Sequence, residues 1–143
     1  MNRILGLDPG AKRIGIAISD PSGVVAQSLG FLEKTREQGW AVEVEKLVAQ
    51  HKVAEVVVGL PLNMNGTEGP RAEETRRMVE VLRNRLKVPI KVWDERLSTI
   101  AAERMFREAG VKMRRAKTHI DGVAAALILQ GYLDSRAMGG EKK

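Results

Sequence analysis

The chain has 143 residues, 43% of them hydrophobic and 29% charged, which fits one globular domain and excludes a disordered chain. No apolar run approaches the roughly 20 residues of a membrane-spanning helix, and the N-terminus lacks the apolar segment of a signal peptide, so we expect a cytoplasmic protein without a membrane partner. Cysteine is absent, which excludes disulfides, cysteine-bound zinc and thiol nucleophiles. The net charge of +6 suits a polyanionic partner, although solubility alone can also explain a basic protein.

The first half of the chain predicts a meander of strands followed by a helix. Three runs rich in β-branched residues, separated by turns that contain proline and glycine, predict the strands Ile4–Leu7, Ile14–Ile18 and Val24–Phe31. The segment Gln38–Lys52 then places its apolar residues at helical spacing. Short connections between the strands favour antiparallel pairing.

The second half alternates strands and helices. The continuous apolar run Val56–Val58 predicts a strand that is buried on both faces. The remaining predicted elements are a helix with Pro70 in its first turn, a strand at Val88–Trp93, a helix from Ser98 to Gly110 and a helix at His119–Leu133. We therefore expect an α/β domain over residues 1–137, with a mixed five-stranded sheet flanked by helices on both faces, and a mobile tail at 138–143.

Positive charge is concentrated in residues 96–117, which contain seven Lys or Arg residues against two acidic ones. Within this stretch, residues 112–117 form a basic connector between two predicted helices. The connector supplies four candidate nucleic-acid contacts, namely Lys112, Arg114, Arg115 and Lys117. Three more candidates adjoin the acidic residues described next, namely Lys12, Arg13 and Arg96. Aromatic residues make up only 3% of the chain, so we expect recognition by backbone charge and shape rather than by base stacking.

Three acidic residues lie where predicted elements end or begin. Asp8 closes the first strand, Glu95 follows the last strand, and Asp121 opens the final helix. Each has an ordinary alternative explanation, because Asp8 can cap a turn, Asp94 and Glu95 can pair with Arg96, and Asp121 can favour a helix start. Convergence of all three at one place would need a cation, because clustered carboxylates repel one another.

Oxygen ligands of this kind suit Mg²⁺ or Mn²⁺. An acidic metal site in a basic protein is suited to phosphodiesters, because Lys and Arg hold the backbone while metal ions act on the reacting phosphate. The sequence therefore predicts a metal-dependent nuclease.

Four blocks of the sequence resemble one family. They are Gly6–Ala17 with Ser19-Asp20, Val57–Leu62 with Asn63–Gly66, Asp94–Thr99, and Lys117–Asp121 running on to Gln130. In this order they resemble the bacterial YqgF/RuvX-type Holliday junction resolvase-like family, also described as pre-16S ribosomal RNA nucleases. The resemblance spans about residues 3 to 134.

The resemblance implies a ribonuclease H-like fold, with Asp8, Glu95 and Asp121 as catalytic carboxylates that bind the metal. It implies one of two alternative substrates, with the 5′ end of precursor 16S rRNA placed first and branched DNA second. Nucleic acid and ribosomal particles are the expected partners, and the chain is expected to be a monomer or a homodimer. A binding protein without catalysis is the third alternative.

A fourth alternative comes from a different class of enzyme. Asp8-Pro9-Gly10 also resembles the first phosphate loop of actin-like and sugar kinases. Such proteins close a second domain on ATP, for which 143 residues leave no room. The chain also has no G-x-x-x-x-G-K-[S/T] loop, so we place this alternative last.

Overall fold

A computed structural model describes residues 2–34, 39–96 and 120–137, apart from the side chains of Ile120 and Asp121. Its strands are β1 (Arg3–Pro9), β2 (Arg13–Ser19), β3 (Ala26–Glu33), β4 (Val53–Leu60) and β5 (Ile90–Asp94). Its helices are α1 (Gly39–His51), α2 (Pro70–Arg85) and α3 (Ile120–Ser135). The predicted helix at 98–110, the basic connector and the tail at 138–143 lie outside these residues.

The strands form one mixed sheet in the order β3-β2-β1-β4-β5. β2 pairs antiparallel with both β1 and β3, whereas β4 pairs parallel with both β1 and β5. The structure thus confirms the predicted meander and the predicted parallel neighbours. β4 lies between two parallel partners, which explains why its sequence is apolar without alternation.

Two apolar clusters hold helices to the two faces of the sheet, as predicted. On one face, α1 and α2 pack against the sheet through Trp40, Val44, Val79 and Leu82. On the other face α3 packs through a set that includes Ala125, Ile128, Leu129 and Leu133. No helix of the described residues is long and apolar enough to cross a membrane.

The third strand begins at Ala26, two residues later than predicted. Asp20 accepts hydrogen bonds from the backbone N–H groups of Val24 and Val25, both at 2.8 Å. These bonds close a turn in which Gly23 has a φ of 76°. The two valines are therefore part of the turn, where their side chains are exposed, rather than part of the strand.

Candidate active site

The carboxyl ends of three strands meet at one edge of the sheet, as expected for parallel neighbours. Asp8 lies near the end of β1, where the preceding Leu7 pairs with Val58 of β4. On the other side of β4, Leu60 pairs with Asp94, and its carbonyl accepts a hydrogen bond of 3.2 Å from the N–H of Glu95. Asp8 and Glu95 therefore lie on either side of the end of β4.

Both carboxylate residues belong to the sheet face that α3 covers. Gly6, two residues before Asp8, lies against Leu129 of α3. Trp93, two residues before Glu95, packs into the α3 cluster. Because side chains alternate along a strand, Asp8 and Glu95 share this face. Val58 pairs with both Leu7 and Val92, so Glu95 lies about two residues further along the sheet than Asp8. With two strand spacings of about 4.8 Å between their strands, their Cα atoms are roughly 12 Å apart.

Helix α3 begins at the same edge of the sheet. Its Gly122 lies so close to β3 that a Cβ there would be 2.1 Å from Ser28 Oγ and 3.3 Å from the carbonyl oxygen of Gly30. Gly30 is level with Leu7, because both pair with Ile16. Glycine at 122 therefore packs close to the sheet, and the backbone of Asp121 lies at the same edge as Asp8 and Glu95. The side chain of Asp121 is outside the described part of the chain.

Gly59 occupies the position between the two strand-end carboxylates. A Cβ at this position would lie 2.6 Å from Ile128 Cδ1 and 3.6 Å from Glu95 Cβ. Glycine at 59 therefore makes room for α3 beside Glu95.

The surroundings of Glu95 disfavour the charged form of its carboxylate. Its Oε1 is buried and has no hydrogen-bond partner among the described residues. Burial raises the pKa of Glu95, while the charge of Arg71 lowers it in part and the charge of Asp94 raises it further. A cation bound beside this carboxylate would offset the penalty of burial.

The neighbouring Asp94 is satisfied by protein groups. Arg96 donates three side-chain hydrogen bonds of 2.7 to 3.1 Å to its carboxylate, and these hold the pKa of Asp94 below its usual value. Arg96 Nη1 also donates to the carbonyl of Met64 at 3.1 Å, which ties the loop after β4 to the end of β5. The predicted pairing of Arg96 with this acidic pair is thus seen at Asp94.

Arg71 is the residue near the site that sequence reasoning missed. It lies in the first turn of α2 and is exposed, yet its charge acts on Glu95. No local pattern marks it, because its neighbourhood depends on how α2 docks against the sheet. Arg71 thus adds a positive charge close to the Glu95 carboxylate.

The predicted nucleic-acid contacts divide into described and undescribed residues. Lys12 is exposed in the turn between β1 and β2. Arg13 begins β2, with its side chain half-exposed, and lies 4.0 Å from a carboxylate oxygen of Glu33. The four connector residues lie outside the described residues, namely Lys112, Arg114, Arg115 and Lys117.

The described side chains include no group of three potential metal ligands. They include two of the three predicted carboxylates, Asp8 and Glu95, at one edge of the sheet and on one face. These are oxygen ligands, and one of them has a buried oxygen without a protein partner. The donor set therefore fits a hard divalent cation such as Mg²⁺ or Mn²⁺ rather than a soft metal.

Comparison with known proteins shows similarity over almost the whole chain. Residues 2–135 match a family model described as "RuvX: Holliday junction resolvase". A protein of Halothermothrix orenii named "Putative pre-16S rRNA nuclease" is 50% identical over 92% of this chain and 94% of its own. A protein of the same name from Listeria innocua is 49% identical over 93% of this chain and 98% of its own.

Solved structures share the fold at low sequence identity. The RuvC of T. thermophilus, in complex with a Holliday junction substrate, has a TM-score of 0.62 and 18% identity and covers 97% of both chains. The Holliday junction resolvase of fowlpox virus has a TM-score of 0.54 and 15% identity, covering 93% of this chain and 99% of its own. The fold is therefore ribonuclease H-like, as predicted.

Proposed function

Because the chain belongs to the RuvX family and is therefore a nuclease, we propose that it is a metal-dependent endonuclease that processes the 5′ end of precursor 16S rRNA. The observation that carries this proposal is the placement of Asp8 and Glu95 at one sheet edge and on one face, where α3 begins. The names of relatives about 50% identical to this chain support the choice of RNA.

In this proposal Asp8, Glu95 and Asp121 are the catalytic carboxylates and hold the metal. Mg²⁺ or Mn²⁺ bound there supplies activation of a water molecule and stabilisation of the leaving oxygen of the phosphodiester. The buried Oε1 of Glu95 supports this role, because a buried carboxylate oxygen that no described residue hydrogen-bonds would be stabilised by a cation. Asp94 stays paired with Arg96 and is not one of the proposed catalytic carboxylates.

The cations around this edge are proposed to hold the nucleic-acid backbone. Lys12 and Arg13 follow β1 directly, and the connector adds Lys112, Arg114, Arg115 and Lys117. Arg96 already pairs with Asp94 and donates a hydrogen bond to the Met64 carbonyl. It therefore contributes to nucleic-acid binding through its positive charge and by fixing the loop after β4. Such contacts give an affinity that falls steeply with salt.

Resolution of branched DNA is the second candidate, because the matching family is described as a Holliday junction resolvase. This activity would require a symmetric homodimer, since two strands must be cut in coordination. Processing of rRNA is compatible with a monomer, and it adds ribosomal particles to the proposed partners. Both activities place the protein in the cytoplasm.

The test compares cleavage of a pre-16S 5′-leader RNA with cleavage of a four-way DNA junction, in Mg²⁺ and in Mn²⁺. Asp8→Asn is the blank, and we expect it to lose cleavage but to bind nucleic acid equally or more tightly, because one repelling charge is removed. Cleavage of RNA alone supports the proposal, and cleavage of the junction alone moves the activity to DNA. Binding by the unmodified protein without cleavage of either substrate, or full activity in Asp8→Asn, would overturn it.

A further inference from the structure

Phe31 lies in one row with Asp8 across the sheet. Gly15 of β2 pairs with Asp8 of β1 on one side and with Phe31 of β3 on the other. Directly paired residues point to the same face, so Phe31 stands on the face that carries Asp8 and Glu95. Gly15 has no side chain to separate them. Two strand spacings of about 4.8 Å put the Cα atoms of Phe31 and Asp8 about 10 Å apart.

The ring of Phe31 is exposed and stacked with a cation. It is 45% exposed, whereas the adjoining Leu32 packs into the core on the other face. The guanidinium carbon of Arg13 lies 4.5 Å from the centre of the ring. Arg13 also lies 4.0 Å from Glu33, and both of these side chains are at least half-exposed. An exposed ion pair of this kind holds its members weakly.

Packing within the described part of the chain does not account for the exposure of Phe31. A phenylalanine at an edge strand leaves apolar surface in water, and the core beneath this part of the sheet is completed by Leu32. An aromatic ring and a guanidinium plane are the two protein groups on which unpaired bases stack. Arg13 can in addition contact a phosphate. The pair therefore has both groups that one nucleotide requires.

We propose that Phe31 and Arg13 form a stacking subsite for an unpaired base of the substrate strand, beside the carboxylate edge. The inference rests on the proposed function for the identity of its ligand, a single-stranded segment of nucleic acid. The separation of about 10 Å places the stacked base within about three nucleotides of the phosphate at Asp8, since successive nucleotides of one strand rise about 3.4 Å in a duplex. The subsite selects substrates that are unpaired next to the cleaved bond.

The experiment measures binding, by fluorescence anisotropy in metal-free buffer, so that cleavage plays no part. The probes are a single-stranded RNA 12-mer and a 12-mer of the same charge in which every base is replaced by an abasic position, each repeated as DNA. The variants are Phe31→Ala, Phe31→Leu and Phe31→Tyr. Leu29→Ala is the matched control, since Leu29 lies on the same strand with a similar exposure of 39% but is unpaired, at a bulge.

The unmodified protein should bind the normal 12-mer about 10-fold or more tightly than the abasic one. This preference should fall several-fold in Phe31→Ala and in Phe31→Leu, and it should persist in Phe31→Tyr and Leu29→Ala. The salt dependence of binding should be unchanged in Phe31→Ala, because no phosphate contact is removed. If the preference for the normal 12-mer is found with the DNA probes as well as with the RNA probes, the subsite accepts either backbone.

An equal preference in the unmodified protein and in Phe31→Ala would overturn the subsite, as would the absence of any preference or of any binding. Recovery of the preference in Phe31→Leu would also overturn it, because that variant keeps apolar volume without an aromatic face. Loss of cleavage with an intact, Phe31-dependent preference would refute the proposed function alone. Cleavage without that preference would refute the subsite alone.

Discussion

Asp94 and Glu95 are adjacent in the chain but have opposite electrostatic surroundings. The carboxylate of Asp94 accepts hydrogen bonds from Arg96, which lower its pKa, whereas burial raises the pKa of Glu95. The difference follows from the strand, because successive side chains point to opposite faces of a sheet. Glu95 is thereby directed to the face that carries Asp8 and is left available for a cation.

Glu95→Gln is expected to abolish cleavage and to stabilise the metal-free fold. Removing one catalytic group should lower the rate roughly 100-fold or more. At pH 7 in chelator the variant should gain stability, by no more than about 1 kcal/mol because the partial exposure of Glu95 screens its charge. Urea unfolding and single-turnover cleavage measure the two effects.

Asp94→Asn is the matched control for this variant, since it changes the neighbouring carboxylate on the other face. It should lose stability through the broken pair with Arg96 and should keep most of its cleavage rate. Equal loss of cleavage in both variants would contradict the assignment of Glu95.

Replacement of Arg114 and Arg115 by alanine tests the basic connector, which only the sequence indicates. If each contacts one phosphate, binding should weaken and the slope of log K against log salt should fall by about 2 for a duplex substrate. Lys46→Ala is the control, because Lys46 belongs to α1, on the sheet face opposite to α3 and the carboxylates. Lys46 pairs there with Glu43 at 3.4 Å. An unchanged slope in the double variant would place the phosphate contacts elsewhere.

The sequence was sufficient for the sheet and for the edge at which the acidic residues gather. Val56–Val58 marked a strand buried on both faces, and carboxylates at strand ends indicated their common edge because parallel strands end together. Asp8 and Glu95 could be placed in this way from local pattern alone. The shared face of the two carboxylates was also implicit in strand alternation.

Phe31 could not be placed from the sequence, because its face depends on a bulge. Ile16 pairs with Gly30 but Ala17 pairs with Ser28, so Leu29 is an extra residue in β3. One extra residue reverses which side chains face which way beyond it. The low aromatic content predicted no base stacking, yet a single ring in this row is enough for the proposed subsite.

The effect of Arg71 on Glu95 could not be predicted from the sequence either, because it depends on how α2 docks against the sheet.

Acid should destabilise the protein in part through Asp20. The Ser22 hydroxyl, followed by the N–H groups of Val25 and Val24, holds the pKa of Asp20 well below its unfolded value of 3.8. A carboxylate whose pKa is depressed by folding stabilises the fold above its unfolded pKa, and that contribution is lost as the pH falls through the lower, folded value. The loss should therefore begin below about pH 4.

Asp20→Asn retains an acceptor oxygen but does not titrate, so its stability should fall less steeply with acid than that of the unmodified protein. Melting temperatures between about pH 2 and pH 6 measure this difference. Glu43→Gln, on the surface of α1, is the control and should follow the unmodified protein. Parallel acid curves for Asp20→Asn and the unmodified protein would show that the turn contributes nothing to the pH dependence.

Gly59→Ala should disturb the packing of α3 beside Glu95, and Ile128→Val should relieve that disturbance. The new Cβ would lie 2.6 Å from Ile128 Cδ1, in a side chain that is only 2% exposed, so we expect a loss of about 1 to 3 kcal/mol. Ile128→Val alone removes that methyl group and should cost about 0.5 to 1.5 kcal/mol.

The double variant should be more stable than the sum of the two single losses predicts, because the atom that clashes is gone. Urea unfolding of all four proteins gives the coupling energy. Cleavage should fall in Gly59→Ala and recover in the double variant, since a shifted α3 moves Asp121 relative to Asp8. Strict additivity of the two losses would show that Gly59 is required for a reason other than its contact with Ile128.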